Sequence, residues 1–181
     1  VHMSERIQVD VSKPSHQWDA KIKAKRMLWS VLLEPILSRM PNSFSGLRVT
    51  ALRLLGAKIG KKCLISRGVR ILMPWNLDMS DGLVALGEGV LVYNFGMISI
   101  GQRTVISQRA HLCSGTHDYR KRRMPLVWLP ITIGSDCWIA AECYVGPGVH
   151  IGTGTVVGAR AVVTKEMPEW CVCVGHPCRP I

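Results

Sequence analysis

The most constraining feature of the sequence is an aliphatic residue that returns at every sixth position. From residue 133 onward this ladder consists of Ile133, Ile139, Val145, Ile151, Val157 and Val163. Neither the 3.6-residue period of an α-helix nor the two-residue alternation of a strand produces a strict step of six. A parallel β-helix does, because each hexapeptide forms one short side of a triangular coil and stacked coils pair their strands. We therefore predict an all-β solenoid.

A second set of positions keeps the same step and is predicted to fill the narrow prism together with the aliphatic ladder. The small or short residues four places after each aliphatic residue are Cys137, Cys143, Val149, Thr155 and Ala161. Earlier stretches repeat the pattern at Ile100, Ile106 and Leu112 with Thr104, Ala110 and Thr116, and at Ile59, Ile65 and Ile71 with Cys63 and Val69. A glycine, or Ala140, follows most of the aliphatic residues, and we expect it to ease the backbone round the corner.

The register loosens around residues 71–99 and breaks between Leu112 and Ile133. That gap is 133 − 112 = 21 residues, three more than a coil of three hexapeptides. We interpret residues 118–130, which contain Lys121, Arg122 and Arg123, as an excursion loop. Insertions in solenoids usually lie on the functional face.

The residues before the repeats predict helices. Residues 18–40 favour a helix with a basic first half, and residues 45–55 favour a second helix ended by Gly56. The apolar run is short and contains Glu34 and Pro35, so it does not span a bilayer. We predict a helical cap over residues 3–57 and a β-helix over residues 58–181. The alternative is docking on a membrane surface through Trp29, the leucines, Lys21, Lys23, Lys25 and Arg26.

Charge and cysteine content narrow the partners and the compartment. The formal charge is +11, from 23 Lys and Arg against 12 Asp and Glu. This charge either serves solubility or suits phosphate-bearing ligands or anionic lipid, and nucleic acid ranks last because its motifs are missing. The seven cysteines form no CxxC pair, and nothing at the N-terminus resembles a cleaved signal peptide. We expect a cytoplasmic protein, peripheral to the inner membrane face if the helix docks there.

A few polar residues stand where chemistry is expected. His117 lies at the root of the excursion loop, where a neutral imidazole would serve as a general base; a solvent-facing structural histidine is the alternative. Asn94 would contact a sugar hydroxyl or serve as a turn residue. Lys165 and Arg179 would pair with phosphates or remain solvated. Cys113 raises the alternative of a covalent acyl-enzyme.

The segment from Ile133 to Ile181, with Thr164-Lys165 and the tail Gly175-His176-Pro177-Cys178-Arg179, resembles the closing coils of hexapeptide sugar O-acetyltransferases. The stretch RLLGAKIGKK at 53–62 and Met73-Pro74-Trp75 are more similar to the colanic-acid, exopolysaccharide-type enzymes. The resemblance implies left-handed coils, against the usual crossover preference, and homotrimers with each site between two subunits. It also implies His117 as the catalytic base, Asn94 and Tyr93 on the acceptor side, and a coenzyme A groove lined by Trp138, Ala141, Ala159, Thr164, Lys165 and Arg179.

These features favour an acetyltransferase that moves acetyl from acetyl-CoA to a hydroxyl of a sugar, in exopolysaccharide or cell-surface glycan biosynthesis. The acceptor would be a glycan precursor, in some cases lipid-linked, and no metal is expected. Alternatives within the fold are an amino-sugar N-acetyltransferase and a serine O-acetyltransferase. A β-helical zinc carbonic anhydrase is a rival because His111 and His117 lie one hexapeptide apart, although His16, His150 and His176 are remote. A non-catalytic scaffold is the last alternative.

Overall fold

The computed structural model describes Asp10, Ser12 and residues 18–181. In this part of the chain a helical segment is followed by a parallel β-solenoid of about six turns. The predicted fold class is therefore confirmed. Most of the first seventeen residues, including His16, lie outside the described residues.

Three parallel sheets form the three sides of the prism. The first sheet contains β1 (Lys58–Ile59), β4 (Leu77–Met79), β7 (Ile98–Ile100), β12 (Ile131–Ile133) and β15 (His150–Ile151). The second contains β2 (Leu64–Ile65), β5 (Ala85–Leu86), β8 (Val105–Ile106), β13 (Trp138–Ile139), β16 (Val156–Val157), β18 (Val172–Gly175) and the antiparallel β19 (Cys178–Pro180). The third contains β3 (Arg70–Ile71), β6 (Leu91–Tyr93), β9 (His111–Cys113), β14 (Tyr144–Val145) and β17 (Val162–Val163). A two-stranded hairpin, β10 (Gly115–His117) with β11 (Leu126–Trp128), projects from the third side.

The interior of the prism is filled by the two predicted sets of side chains. The aliphatic ladder from Ile133 to Val163 is at most 1% exposed, and the small residues beside it are at most 2% exposed. Buried hydroxyls find acceptors, as when Thr104 Oγ1 donates to the carbonyl of Gly134 at 2.8 Å. Thr116 is the exception to the prediction, because it is exposed on the hairpin and does not enter the prism.

The glycines after the aliphatic residues have a different role from the predicted one. A Cβ on Gly134 would lie 2.7 Å from the amide nitrogen of Thr153, which belongs to the next coil. The left-handed backbone at the corners belongs to a residue two positions later, for example Asp136 with φ 59° and Glu142 with φ 60°. Glycine is therefore required because adjacent coils approach closely, and the corner conformation is carried by other residues.

The excursion is larger than predicted and begins earlier. Successive coils on the third side are normally 162 − 144 = 18 residues apart, because Tyr144 pairs with Val162. His111 pairs with Tyr144 across 144 − 111 = 33 residues, so this coil contains 15 extra residues. The 21-residue gap is one step of six plus these 15, which corrects the prediction of a full coil plus three. The hairpin starts at Gly115 rather than at 118.

The N-terminal helices lie where the sequence predicted them. The first is continuous through α1 (Ala20–Met27), a π-helical turn (Leu28–Leu33) and α2 (Glu34–Arg39), and Asp19 caps its start by accepting from the amide of Ile22 at 2.7 Å. After a 3₁₀ turn (Asn42–Phe44) comes α3 (Ser45–Leu54), which is followed by Gly56 with φ 98°. A further 3₁₀ turn (Pro74–Asn76) lies in the second coil.

Side chains of these helices satisfy the exposed strand edge of the first coil. Trp29 Nε1 donates to the carbonyl of Ile71 at 2.5 Å, and the amide of Ile71 donates to Glu34 at 3.1 Å. Arg48 and Ser45 do the same for the carbonyl and the amide of Ile65. The helices therefore cap the open end of the prism. The predicted membrane contact through Trp29 is wrong, because the indole is 4% exposed.

Candidate active site

His117 is held on the hairpin with one ring nitrogen engaged and the ring exposed to solvent. Antiparallel pairing places it opposite Leu126, and its Nδ1 lies 2.6 Å from the carbonyl oxygen of Met124. A carbonyl can only accept, so Nδ1 carries the proton in the neutral ring and Nε2 keeps its lone pair. This is the tautomer that a general base requires.

The tip of the hairpin aims the carbonyl that contacts His117. Met124 adopts a left-handed backbone with φ 43°, a conformation unusual for a residue other than glycine. Its amide donates to the carbonyl of Lys121 at 2.8 Å, and the amide of Asp118 donates to the carbonyl of Pro125 at 3.0 Å. The Asp118 carboxylate accepts from the Arg120 guanidinium, which lowers the pKa of Asp118. These bonds close the tip into a defined turn.

An aromatic stack anchors the foot of the same hairpin. Trp18 lies between Phe95 and Trp128, with ring centroids 5.7 Å and 5.8 Å apart. A Cβ on Gly115 would lie 2.5 Å from the Phe95 ring, so glycine is needed at this point. The Arg26 guanidinium lies 5.5 Å from the Trp18 ring centroid. The N-terminal helix, the third sheet and the hairpin are thereby joined beside His117.

Sequence reasoning missed this stack and the role of Met124. Trp18, Phe95 and Trp128 are remote from one another in the chain, and no period relates them. The one available signal was the run of aromatic residues on both sides of the register break.

Asn94 is placed differently from the acceptor-contacting role that the resemblance implied. Its side chain is fully buried; the amide oxygen accepts from the Met73 amide at 2.9 Å, and the amide nitrogen donates to the Met73 carbonyl at 2.7 Å. Asn94 therefore bridges two coils through the backbone of Met73, and this burial argues against direct contact with an acceptor. Tyr93, its neighbour, is half-buried on the outer face of the third sheet.

The outer face of the third sheet carries a row of aromatic and sulfur-bearing side chains. The His111 ring meets Tyr93 edge-on at 6.2 Å and Tyr144 at 5.4 Å, and burial lowers the pKa of His111. Burial and a hydrogen bond with Cys113 raise the pKa of Tyr144 to about 12. Cys113 Sγ also lies 3.2 Å from the carbonyl oxygen of Gly115. The thiol is thus engaged with a phenol and a carbonyl, neither of which is a base that would activate it.

The histidines do not form the cluster that a zinc enzyme needs. His111 lies on the third sheet, His117 on the hairpin and His150 on the first sheet, so His111 and His117 do not share a repeat phase. In the described residues no group of three or more His, Cys, Asp or Glu side chains is arranged to hold a metal.

The residues expected to bind coenzyme A fall in two groups on the last coils. Trp138, half-exposed with its Nε1 donating to Ser107 at 2.9 Å, lies on the second sheet, as does Arg179, which pairs with Val174. Ala141 and Ala159 occupy equivalent turns at the next corner, one coil apart. Thr164 and Lys165 follow β17 and are exposed at the corner beyond. Ala159 and Thr164 are five residues apart, at most about 18 Å of extended chain, so one elongated ligand could span both groups.

The charges near these corners are unevenly distributed. Glu142 accepts from both Arg109 and Arg160, which lowers the pKa of Glu142 and neutralises part of this surface. Lys165 and Arg179 are exposed, and neither forms a salt bridge within the described part of the chain. They are therefore the free cations on this side of the solenoid that suit an anionic ligand.

A β-solenoid with an exposed, tautomer-fixed histidine on an excursion hairpin defines the class of hexapeptide-repeat acyltransferases. Residues 130–165 match the family model described as bacterial transferase hexapeptide (six repeats). Over 153 residues the chain is 42% identical to the colanic acid biosynthesis acetyltransferase WcaF of Escherichia coli (strain K12), covering 84% of each protein. The chain therefore belongs to the family of hexapeptide-repeat acetyltransferases that includes this relative.

Solved structures share the fold. A hexapeptide-repeat acetyltransferase from Vibrio cholerae O1 biovar eltor, in complex with acetyl coenzyme A, has a TM-score of 0.80 at 24% identity and covers 92% of both chains. A galactoside acetyltransferase in complex with coenzyme A has a TM-score of 0.76 at 24% identity, covering 92% of this chain and 84% of its own. Left-handed winding is the fold of these neighbours. No helix in the described residues is long and apolar enough to cross a membrane.

Proposed function

We propose that this protein transfers an acetyl group from acetyl-CoA to a hydroxyl of a sugar in a cell-surface glycan precursor, with His117 as the catalytic base. The observation that supports it most is the bond between Nδ1 of His117 and the Met124 carbonyl, which leaves Nε2 free at an exposed position. The relatedness to an acetyltransferase of colanic acid biosynthesis supports a sugar of an exopolysaccharide as the acceptor.

The reaction is a direct transfer in a ternary complex. Nε2 of His117 removes the proton from the acceptor hydroxyl, and the oxygen attacks the thioester carbonyl carbon. A backbone N–H near the hairpin root stabilises the tetrahedral oxyanion. The carbon–sulfur bond then breaks, the thiolate of coenzyme A takes the proton from His117, and the sugar ester is released. Positioning of both substrates between rigid coils supplies much of the rate.

Tyr93 is the acceptor-side residue that the structure favours. It lines a pocket of about 180 Å³ between the π-helical turn and the third sheet, together with Leu72, Leu91, Glu34 and Arg70. Apolar walls with a few convergent polar groups are typical of small-molecule sites. We place part of the sugar precursor here.

On the donor side, Lys165 and Arg179 bind the phosphates of coenzyme A, and Trp138, Ala141, Ala159 and Thr164 line its path. The two alanines leave the turns open for a ligand chain, and the half-exposed Trp138 offers an apolar ring against it. We further propose that the protein acts as a homotrimer with its sites between subunits, on a lipid-linked acceptor, at the periphery of a membrane.

Calorimetric titration with acetyl-CoA tests the donor assignment. We expect micromolar-range binding by the wild type and about tenfold weaker binding by both Lys165→Ala and Arg179→Ala, because each loses a charge-assisted bond to phosphate worth about 1.5–3 kcal/mol. Lys61→Ala, which removes an exposed lysine from the first coil, is the matched control and should bind like the wild type. Wild-type affinity in both variants would contradict the donor assignment, and no binding by the wild type would contradict the proposed function.

A further inference from the structure

One face of the first helix is apolar, exposed and unnecessary for the cap. Met27, Leu28, Val31, Leu32 and Ile36 are between 44% and 65% exposed. We call these five residues the apolar stripe. The spacing of four residues places Met27 above Val31, and Leu28 above Leu32 and Ile36, in two adjacent rows. Trp29 and Leu37, on another face of the same helix, are the residues buried against the solenoid.

A cluster of exposed apolar side chains marks an interaction surface, because a soluble protein surface otherwise scatters them singly. The charges on the same helix indicate its partner. Between residues 20 and 39 the chain has five basic residues (Lys21, Lys23, Lys25, Arg26 and Arg39) and one acidic residue, Glu34. Glu34 is buried and hydrogen-bonded to the Ile71 amide, so the exposed helix surface has no acidic side chain.

This combination fits an anionic lipid surface better than a second copy of the chain. Two stripes packed against each other would bring like charges together, whereas anionic headgroups would neutralise Lys21 and Lys23 beside the buried stripe. We infer that the apolar stripe inserts shallowly into a bilayer that contains anionic lipid and orients the solenoid on it. The inference deepens the proposed peripheral location, and it replaces Trp29 with the stripe as the contact.

Vesicle co-sedimentation tests the inference without acetyl-CoA or any acceptor, so that its failure is distinguishable from failure of the transfer reaction. We expect the wild-type protein to bind vesicles of phosphatidylcholine with phosphatidylglycerol, and to bind phosphatidylcholine alone at least tenfold more weakly. Leu32→Gln/Ile36→Gln should lower the bound fraction at least tenfold on the anionic vesicles, because it removes two side chains that insert. Leu83→Gln, which alters an exposed leucine in the second coil, should bind like the wild type.

Three outcomes would overturn the inference. The wild type fails to bind the anionic vesicles, the double variant binds as tightly as the wild type, or Leu83→Gln loses binding as strongly as the double variant. Light scattering on the double variant covers the remaining occupant. A smaller assembly than the wild type would assign the stripe to an interface between copies and would likewise overturn the membrane role. Equal affinity of the double variant and the wild type for acetyl-CoA, by calorimetry, shows that both are folded at the donor site.

Discussion

Replacing His117 with alanine is expected to lower kcat for acetyl transfer about a thousandfold, within the range of 10²–10⁴ contributed by a general base. The Nε2 lone pair that would accept the acceptor proton is removed, and no other imidazole is positioned on the hairpin. The affinity for acetyl-CoA and the melting temperature should stay close to the wild-type values, because the side chain is exposed. Steady-state release of coenzyme A with a sugar acceptor measures the effect.

His150→Ala is the matched control for that experiment. His150 is also exposed on a strand, but it lies on the first sheet, away from the hairpin. This variant should keep wild-type kcat. If His117→Ala retained nearly full activity, His117 would not be the base, and a base on another residue would have to be sought.

Replacing Arg48 with methionine is expected to lower the free energy of unfolding by about 3–5 kcal/mol. Arg48 is 3% exposed, and its guanidinium donates to the carbonyls of Ile65, Leu37, Met40 and Pro41 at 2.9–3.1 Å. Methionine retains the apolar stem but leaves these buried or partly buried carbonyls without their donor. Urea unfolding at one fixed protein concentration measures the change, because subunit association also affects stability.

Arg53→Met is the comparison for Arg48→Met within the same helix. Arg53 donates to the carbonyls of Ile59 and Gly60 at 2.8 Å and 2.7 Å, but it is exposed, so water can replace the lost donor. We expect a loss of about 1 kcal/mol. Equal destabilisation by the two substitutions would mean that burial of Arg48 does not matter, and the account of the cap would be wrong.

The fold could be predicted from the sequence because its information is local and repeated. The ladder from Ile133 to Val163 fixes which residues face the prism, and every coil repeats the message. The role of the glycines could not be derived in this way. The backbone of Thr153 excludes a side chain on Gly134 only once two coils are stacked, which is a property of the assembled solenoid.

The hairpin was harder to predict because its pairing has no period. Gly115 meets Trp128 across an antiparallel turn, so the ladder stops at Leu112 and resumes at Ile131 without showing what lies between. The aromatic stack needs Trp18 from the N-terminal segment, which no local pattern connects to Phe95.

At the site, position and resemblance were enough to select His117, but they could not give the state of its ring. That state depends on the Met124 carbonyl, which reaches His117 because Met124 adopts a left-handed backbone. Such a conformation is rare for methionine and has no signal in the sequence. For Asn94 the resemblance named an acceptor contact, whereas the bonds to Met73 show an amide that bridges coils.

The central claim, acetyl transfer to a sugar hydroxyl, is tested most directly with radiolabelled acetyl-CoA and two matched acceptors, a methyl hexoside and the corresponding amino sugar. An ester is cleaved by mild alkali and an amide is not, so alkali treatment identifies the bond that forms. The account predicts alkali-labile label on the hexoside with the wild type and a loss of about a thousandfold in its rate with His117→Ala. Label found only in the alkali-stable amide of the amino sugar, or no label in either acceptor despite bound acetyl-CoA, would contradict it.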